Sequence, residues 1–335
     1  MTMAPSPMPQ LDPSKLKAFS NAAAGHDGVL SDPSGELLIK PCVDAEIDFY
    51  QETLAKHPDF AELMPTYMGT LSLGPPHAPS DTPAPELSQQ EKDQARLHGV
   101  KIASETAIVL ENLEHGFKCP NVLDLKLGSV LYDPATTEPE KAARLDKVAQ
   151  ESTSGSLNFR VAGMKVWSPT KRDFDIYDKF YGRNFSAENV SEAYETFFAA
   201  LFSSDIKGDD AVQLLETILA EVTKARHILE KAQSRMYSAS VLIVCEGDTA
   251  ALNSLLGAVG PSAPSGDERA PTAKELKRAE AEEEEDEEAE PVAFKVKMID
   301  FAHAKWTEDG GRDENTIKGL RNVEQLLDGL IGKFD

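Results

Sequence analysis

Apolar and polar positions alternate with a period of two through the first third of the chain, and recur at helical spacing through much of the second half. Strand-like alternation falls at Gly28–Leu30 and Glu36–Lys40, separated by the turn Ser-Asp-Pro-Ser-Gly, and again at Thr66–Leu71 and Thr106–Glu111. Between them, Glu46–His57 reads as a helix that Pro58 stops. Asn121–Leu127, Ser240–Cys245 and Val292–Phe301 read as strands of a second sheet. Amphipathic helices are predicted at Ala187–Phe202, at Ile317–Leu330 and at Asp209–Arg235, where Val212, Leu215, Leu219, Val222 and Leu229 form one stripe. The pattern predicts an α+β protein with a sheet-rich first lobe and a helix-rich second half. No repeat of roughly 20–50 residues recurs, which excludes solenoids and propellers.

Three stretches interrupt the pattern. Residues 1–25 are rich in Pro, Ser and Ala and read as a mobile tail with a short helix around Leu11–Phe19. Residues 72–90 carry Pro and Gly too often for helix or strand. Residues 258–291 end in Glu280–Glu290, whose nine carboxylates repel one another, so disorder is expected there. The whole chain of 335 residues has a formal charge of −23, and −14 without that run, so no uniform attraction to nucleic acid or to anionic membrane is expected. Cys42, Cys119 and Cys245 stand far apart without a CxxC pair, which argues against a disulfide scaffold and a structural zinc site and favours a reducing compartment. No segment has signal-peptide or membrane-span character, so a soluble intracellular protein is the expectation.

Candidate chemistry concentrates in three places. Pro120-Asn-Val-Leu-Asp124-Leu-Lys126-Leu-Gly128 puts two charges on one face of an apolar strand, which is either a functional pair or the wet face of an antiparallel sheet. Met298-Ile-Asp300-Phe301-Ala-His303 places a carboxylate at the end of a hydrophobic strand, either a metal-binding or catalytic group or the cap of a turn. Residues 141–183 hold nine Lys or Arg (Lys141, Arg144, Lys147, Arg160, Lys165, Lys171, Arg172, Lys179, Arg183) against five acids, the electrostatic footprint of an anionic ligand in an acidic chain.

Together these strings resemble the inositol polyphosphate kinase family. Residues 120–128 are similar to its P-x-x-x-D-x-K-x-G pattern, Ser238-Ala-Ser240-Val-Leu242-Ile to its Ser-Ser-Leu-Leu element, and Ile299-Asp300-Phe301 to its metal-binding strand. Leu38-Ile-Lys40, Glu46-Ile-Asp-Phe-Tyr50, Leu110-Glu-Asn112, Phe159-Arg-Val-Ala-Gly-Met164 and Tyr181-Gly-Arg183 extend the likeness over most of the chain outside the three interruptions. Within the family, Lys126-Leu-Gly-Ser-Val-Leu-Tyr-Asp133, Ser154-Gly-Ser-Leu-Asn-Phe-Arg160 and Ala302-His303 look like the multikinases, especially fungal ones. Hexakisphosphate kinases, which share the Ala-His continuation, are the nearer competitor.

The resemblance implies a two-lobed, kinase-like (ATP-grasp-like) α+β fold. Residues 26–112 would be the N-lobe and 113–335 the larger C-lobe, with an inserted helical segment at 134–160 that binds inositol phosphate. It implies ATP and Mg²⁺ as cofactors. Lys40 would hold ATP phosphates, Glu46 would orient it, and Glu111 and Asn112 would form the hinge for adenine and ribose. Ser240 would contact phosphate or metal-bound water, and Asp300 would ligate the metal. Asp124 would act as general base and Lys126 would hold the transferring and substrate phosphates. Lys141, Arg144, Lys147, Arg160, Lys165, Arg183 and His303 would line the substrate pocket. The implied activity is conversion of inositol 1,4,5-trisphosphate and tetrakisphosphate toward pentakisphosphate, with a hexakisphosphate kinase or a non-catalytic transcription-regulatory scaffold as rivals. The acidic run is a candidate partner-binding segment for transcription complexes, and residence in nucleus and cytoplasm is implied by the resemblance alone.

Overall fold

The structure is a computed structural model and describes residues 15–19, 28–72, 106–258, 292–308 and 310–334. In the first lobe, strands β1 (Lys17–Ala18), β2 (Leu30–Ser31), β3 (Leu37–Pro41), β4 (Tyr67–Ser72) and β5 (Thr106–Glu111) form an antiparallel sheet in the order β1-β2-β3-β5-β4. The β2–β3 turn closes because the Asp32 carboxylate accepts the backbone N–H of Gly35 at 3.1 Å and of Leu37 at 2.9 Å, while Gly35 takes a left-handed φ of 82°. Helices α1 (Asp44–Lys56) and α2 (Pro58–Ala61) follow β3, and Pro58 ends the first by starting the second.

The second lobe is built on β6 (Pro120–Leu127), β7 (Phe159–Ser168), β8 (Asp173–Tyr177), β10 (Ser240–Glu246) and β11 (Phe294–Ile299), antiparallel in the order β11-β10-β6-β7-β8. Helices α3 (Pro139–Gln150) and α4 (Thr153–Leu157) stand between β6 and β7. They are followed by α5 (Lys179–Arg183), α6 (Ser191–Phe197), α7 (Gly208–Lys231), α8 (Thr249–Ala258) and α9 (Glu314–Ile331). A small ribbon pairs β9 (Ser234–Met236) with β12 (Ala304–Trp306).

Period-two alternation divides β6 between two environments. Leu123, Leu125 and Leu127 are fully buried in the main core with Ile218, Val222 and Leu229 of α7 and Leu320, Val323 and Leu327 of α9. Val122, Asp124 and Lys126 therefore face the other way, toward the first lobe. The result is a two-lobed α+β fold of kinase-like build, with one five-stranded sheet in each lobe.

Several expected elements differ. The helix expected over Ala187–Phe202 breaks into α6 and a 3₁₀ turn at Ala199–Phe202, the backbone leaving the α-helix at the buried Phe198 (φ −91°, ψ 20°). The long helix ends at Lys231 rather than Arg235, whose segment joins β9, and its buried stripe runs through Ala211, Leu214, Leu215, Ile218, Val222, Ala225 and Leu229. Where the segment Leu11–Phe19 is described, Lys17–Ala18 is a strand against Leu30–Ser31, not a helix. The expected acidic loop and nearly all of the expected 72–90 loop lie outside the described residues. Cys42, Cys119 and Cys245 are all buried. Among the described residues no helix is long and apolar enough to cross a membrane.

Candidate active site

The two sheets enclose a cleft. Val29, Leu38, Lys40, Tyr50 and Leu110 line it from the first lobe, Val122, Asp124, Leu242, Ile299 and Asp300 from the second, and Glu111–Glu114 form the wall between them. On β3, Leu38 and Lys40 look into this cleft, whereas Ile39 packs with Ala107 and Val109 on the far side of the sheet. The cleft is apolar near the Glu111–Glu114 connection and becomes charged toward the end of β11.

That charged end is organised around Asp300. Its Oδ1 accepts from Lys40 Nζ at 3.0 Å and its Oδ2 from Lys126 Nζ at 2.8 Å, so residues distant in sequence converge on one carboxylate. Lys40 also donates to Glu46 Oε1 at 2.8 Å, and Lys126 to the Ser238 carbonyl at 2.9 Å. Burial works against the Lys40 charge, but Asp300 and then Glu46 outweigh it and hold its pKa above the ordinary lysine range. Asp300 has a left-handed φ of 67°, a costly conformation for a side-chain-bearing residue that the two ion pairs and the buried Phe301 hold in place. Phe301 stacks on Phe49 of α1 with centroids 4.7 Å apart, and Trp306 Nε1 donates to Thr53 Oγ1 at 2.9 Å, which docks α1 onto the chain that follows Asp300.

Among the described residues no three His, Cys, Asp or Glu side chains converge into a metal cage. Asp300 has both oxygens taken by Lys40 and Lys126, so it would hold a divalent ion when nucleotide phosphates draw those two ammonium groups to themselves and supply further oxygen ligands. Asp300 is the residue that fits this role.

Asp124 is 1% exposed and sits two residues from Lys126 along the cleft face of β6. Opposite it, β7 bulges: Lys126 pairs with Arg160 and Asp124 with Gly163, so Arg160, Gly163 and Lys165 all share the cleft face. Burial first, and then the neighbouring Arg183 charge, push the Arg160 pKa down to about 10, with Asp124 opposing. Arg160 Nη1 donates to Ser154 Oγ at 2.9 Å, and the Arg183 Nε is buried without a hydrogen-bond partner among the described residues. Partial desolvation, then the charges of Lys141 and Lys126, hold the His303 imidazole below its ordinary pKa. Lys126, Arg160, Arg183, Lys141 and His303 thus gather around the Asp124–Asp300 end of the cleft.

Other expected residues lie elsewhere. Arg144 and Lys147 are exposed on α3, and Lys147 lies 3.8 Å from Glu151 on its own helix. Lys165, expected in the substrate pocket, is 1% exposed at the opposite end of the cleft and paired with Glu114, because the bulge carries it next to Val122. Ser240 is fully buried between Lys126 and Ile299 in register rather than lining the cleft. Asn112 lines the cleft but spends its side chain on the wall itself: Nδ2 donates to the Gly35 carbonyl at 2.7 Å and Oδ1 accepts from Glu114 N at 3.1 Å. Glu111 accepts from the Thr66 hydroxyl and backbone N–H.

The sequence reading passed over Asn315 and Glu114. Asn315 Oδ1 accepts the backbone N–H groups of Ser129 at 2.8 Å and Val130 at 3.0 Å, pinning the loop that leaves Lys126. No local pattern announces an asparagine near the start of a distant helix. Glu114 follows the hinge string directly and carried that signal.

A cleft between two sheets, bordered by a lysine–glutamate pair and a strand-end aspartate, defines a two-lobed kinase. The model of the inositol polyphosphate kinase family matches residues 107–328. The chain is 31% identical to the inositol polyphosphate multikinase of Saccharomyces cerevisiae over 95% of its own length and 98% of that protein. It is 31% identical to mouse inositol hexakisphosphate kinase 1, over 66% of this chain and 51% of that one. The crystal structure of the S. cerevisiae inositol phosphate multikinase in complex with ADP and Mn²⁺ superposes with a TM-score of 0.61 at 26% identity, covering 89% of this chain and all of that one. The chain belongs to the inositol polyphosphate kinase family and is an inositol polyphosphate kinase.

Proposed function

We propose that this kinase is an ATP- and Mg²⁺-dependent multikinase that phosphorylates inositol 1,4,5-trisphosphate and a tetrakisphosphate toward the pentakisphosphate. The observation that carries the reading is the convergence of Lys40 and Lys126 on Asp300, with Asp124 buried beside them at the border between an apolar cleft and a cluster of cations. A nucleotide base fits between the apolar walls, and its phosphates would meet Lys40 and Lys126. Asp300 would hold the metal, which would supply charge neutralisation on the phosphates. Asp124 orients the attacking hydroxyl and accepts its proton, and Lys126 steadies the phosphoryl group as its charge redistributes. Arg160, Arg183, Lys141 and His303 hold the substrate's other phosphates, which would satisfy the buried Arg183 Nε.

The multikinase relative matches nearly end to end, whereas the hexakisphosphate kinase matches over half its length, which favours the first substrate class. Incubation with ATP and Mg²⁺ on trisphosphate and on hexakisphosphate in parallel tests this. Turnover of the trisphosphate supports it; pyrophosphate formation from hexakisphosphate alone would reverse it. Residence in nucleus and cytoplasm, and protein partners recruited by Glu280–Glu290, belong to the same reading, and the charge of that run is what supports a basic partner.

A further inference from the structure

The buried face of α1 is set against one short segment of the second lobe, Asp300–Trp306. Glu46, Phe49, Tyr50 and Thr53 form the buried stripe of the helix at helical spacing, and His57 is its C-cap residue. Glu46 meets the Phe301 backbone N–H, Phe49 and Tyr50 meet the Phe301 ring, and Thr53 and His57 meet Trp306. Trp306 holds the far end of this contact. Its ring stacks on Phe49 with centroids 5.5 Å apart and on His57 at 3.7 Å, and Phe60 of α2 meets it edge-on at 5.3 Å. Its indole N–H donates to Thr53 Oγ1 at 2.9 Å, and the Thr53 hydroxyl donates in turn to the Phe49 carbonyl at 2.6 Å. The strand that carries Trp306 is fixed in place by the pairing of β12 with β9.

Glu46 and Thr53 are two turns apart, so the two polar attachments of α1 stand about 10 Å apart along the helix axis. With Glu46 alone the helix could pivot about one point; the second attachment defines its tilt and rotation. Through Glu46 that orientation sets the position of Lys40, 2.8 Å away, against Asp300. Phe49, Phe60 and Phe301 are at most 3% exposed and make up the core here, whereas Trp306 is only partly buried, at the rim of a groove lined by Lys56, Pro58, Ile228, Lys231 and Gln233. The indole therefore contributes orientation more than burial. We propose that Trp306 is a positioning residue for phosphoryl transfer: it fixes the C-terminal half of α1 on the second lobe and so holds Glu46 and Lys40 in register with Asp300 for the nucleotide's phosphates. The assignment rests on the ATP-dependent reading above, and Trp306 itself touches neither substrate.

The test measures KM for ATP and KM for inositol trisphosphate separately in the wild type, Trp306→Leu and Trp306→Phe. A folding defect alone reduces the active fraction, and with it kcat, but leaves both KM values unchanged. Trp306→Leu is expected to raise the ATP KM about tenfold, the worth of one stacked ring with one hydrogen bond, and to leave the trisphosphate KM near wild type. Trp306→Phe restores a ring to stack on Phe49 and His57 and should recover most of the loss. In a Glu46→Gln background, Trp306→Leu should add less than about threefold, because both act through the same helix. Should Trp306→Leu not fold, Thr53→Val removes only the acceptor of the indole N–H, and its ATP KM is expected to rise about fivefold. An unchanged ATP KM in the folded variant, an equal rise in both KM values, or a full multiplication of effects in the Glu46→Gln background would overturn the assignment while leaving the kinase reading intact. Absence of any ATP turnover in the wild type would instead contradict the kinase reading, and the role of Trp306 with it.

Discussion

Glu46, carried by a helix of the first lobe, accepts the backbone N–H of Phe301 in the second lobe at 3.2 Å, through the same Oε1 that holds Lys40. One carboxylate oxygen therefore fixes the nucleotide-side lysine and the residue that follows the metal-side aspartate. At 2% exposure Glu46 has no water to replace either contact. Glu46→Gln keeps the shape and removes the charge, and we expect kcat/KM for ATP to fall about 10- to 100-fold. Steady-state kinetics at saturating inositol phosphate measure it; a change below threefold would separate Glu46 from the nucleotide site.

Asp124 is buried beside Lys126 on the cleft face of β6. Asp124→Asn preserves volume but removes the proton acceptor, so kcat is expected to fall by roughly 10²–10⁴-fold. Nucleotide affinity, read by calorimetry, should stay close to wild type. Loss of ATP binding in parallel with turnover would assign Asp124 to the nucleotide instead of the hydroxyl.

The cations of the α3 region are not equivalent. Lys141 is close enough to His303 to depress its pKa, whereas Lys147 is exposed at the far end of the helix, 3.8 Å from Glu151. Lys141→Ala should raise the inositol phosphate KM more than it lowers kcat, and Arg144→Ala and Lys147→Ala should each leave both near wild type. Equal effects of all three positions on KM would mean that the whole helix face contacts substrate.

His303 provides a pH signature. Its pKa in the free enzyme is below the ordinary 6.5, through desolvation and then the Lys141 and Lys126 charges. A histidine held neutral in this way binds fewer protons folded than unfolded, so its contribution to stability declines as pH falls from 6.5 toward its folded-state value. An arriving phosphate reverses the local field and raises the pKa, so substrate binding takes up a proton and tightens as pH falls across that interval. Calorimetry in two buffers of different ionisation heat should record this uptake, and His303→Gln should diminish it. Identical uptake in the variant would show that the proton goes to the substrate phosphates.

Gly128 ends the Asp124–Lys126 strand with φ of 91°, and a methyl group there would lie 2.3 Å from Asn315 Nδ2. Gly128→Ala therefore combines backbone strain with a clash against the side chain that pins residues 129 and 130. A loss of about 1–3 kcal/mol in unfolding free energy is expected, together with a lower kcat as Lys126 shifts. Thermal or denaturant unfolding checks the first; an unchanged midpoint would mean that Asn315 moves aside.

Much of this site was legible in the sequence because strand parity is robust. The spacing of Asp124 and Lys126 put both on one face, and a carboxylate closing the β11 pattern marked Asp300, although only the fold shows that Lys40 and Lys126 share it. Lys165 was misplaced for a physical reason: membership of a basic window says nothing about depth, and the bulge opposite Asp124 brings the residue into line with Val122. Asn112 lies in the cleft wall as expected, but the sequence could not show that its amide is spent on the carbonyl of Gly35, far away in the chain. The break after Phe197 was hidden because an unbroken apolar run looks the same to a helical period whether or not the backbone leaves the helix within it.

The most direct test is a time course of inositol 1,4,5-trisphosphate with ATP and Mg²⁺, products resolved by ion-exchange chromatography, for the wild type and for a folded Asp300→Asn variant. We expect tetrakisphosphate to rise and give way to pentakisphosphate in the wild type and neither to form in the variant. A wild-type chain that leaves the trisphosphate unchanged, or an Asp300→Asn variant that converts it at the wild-type rate, would contradict the assignment of this cleft.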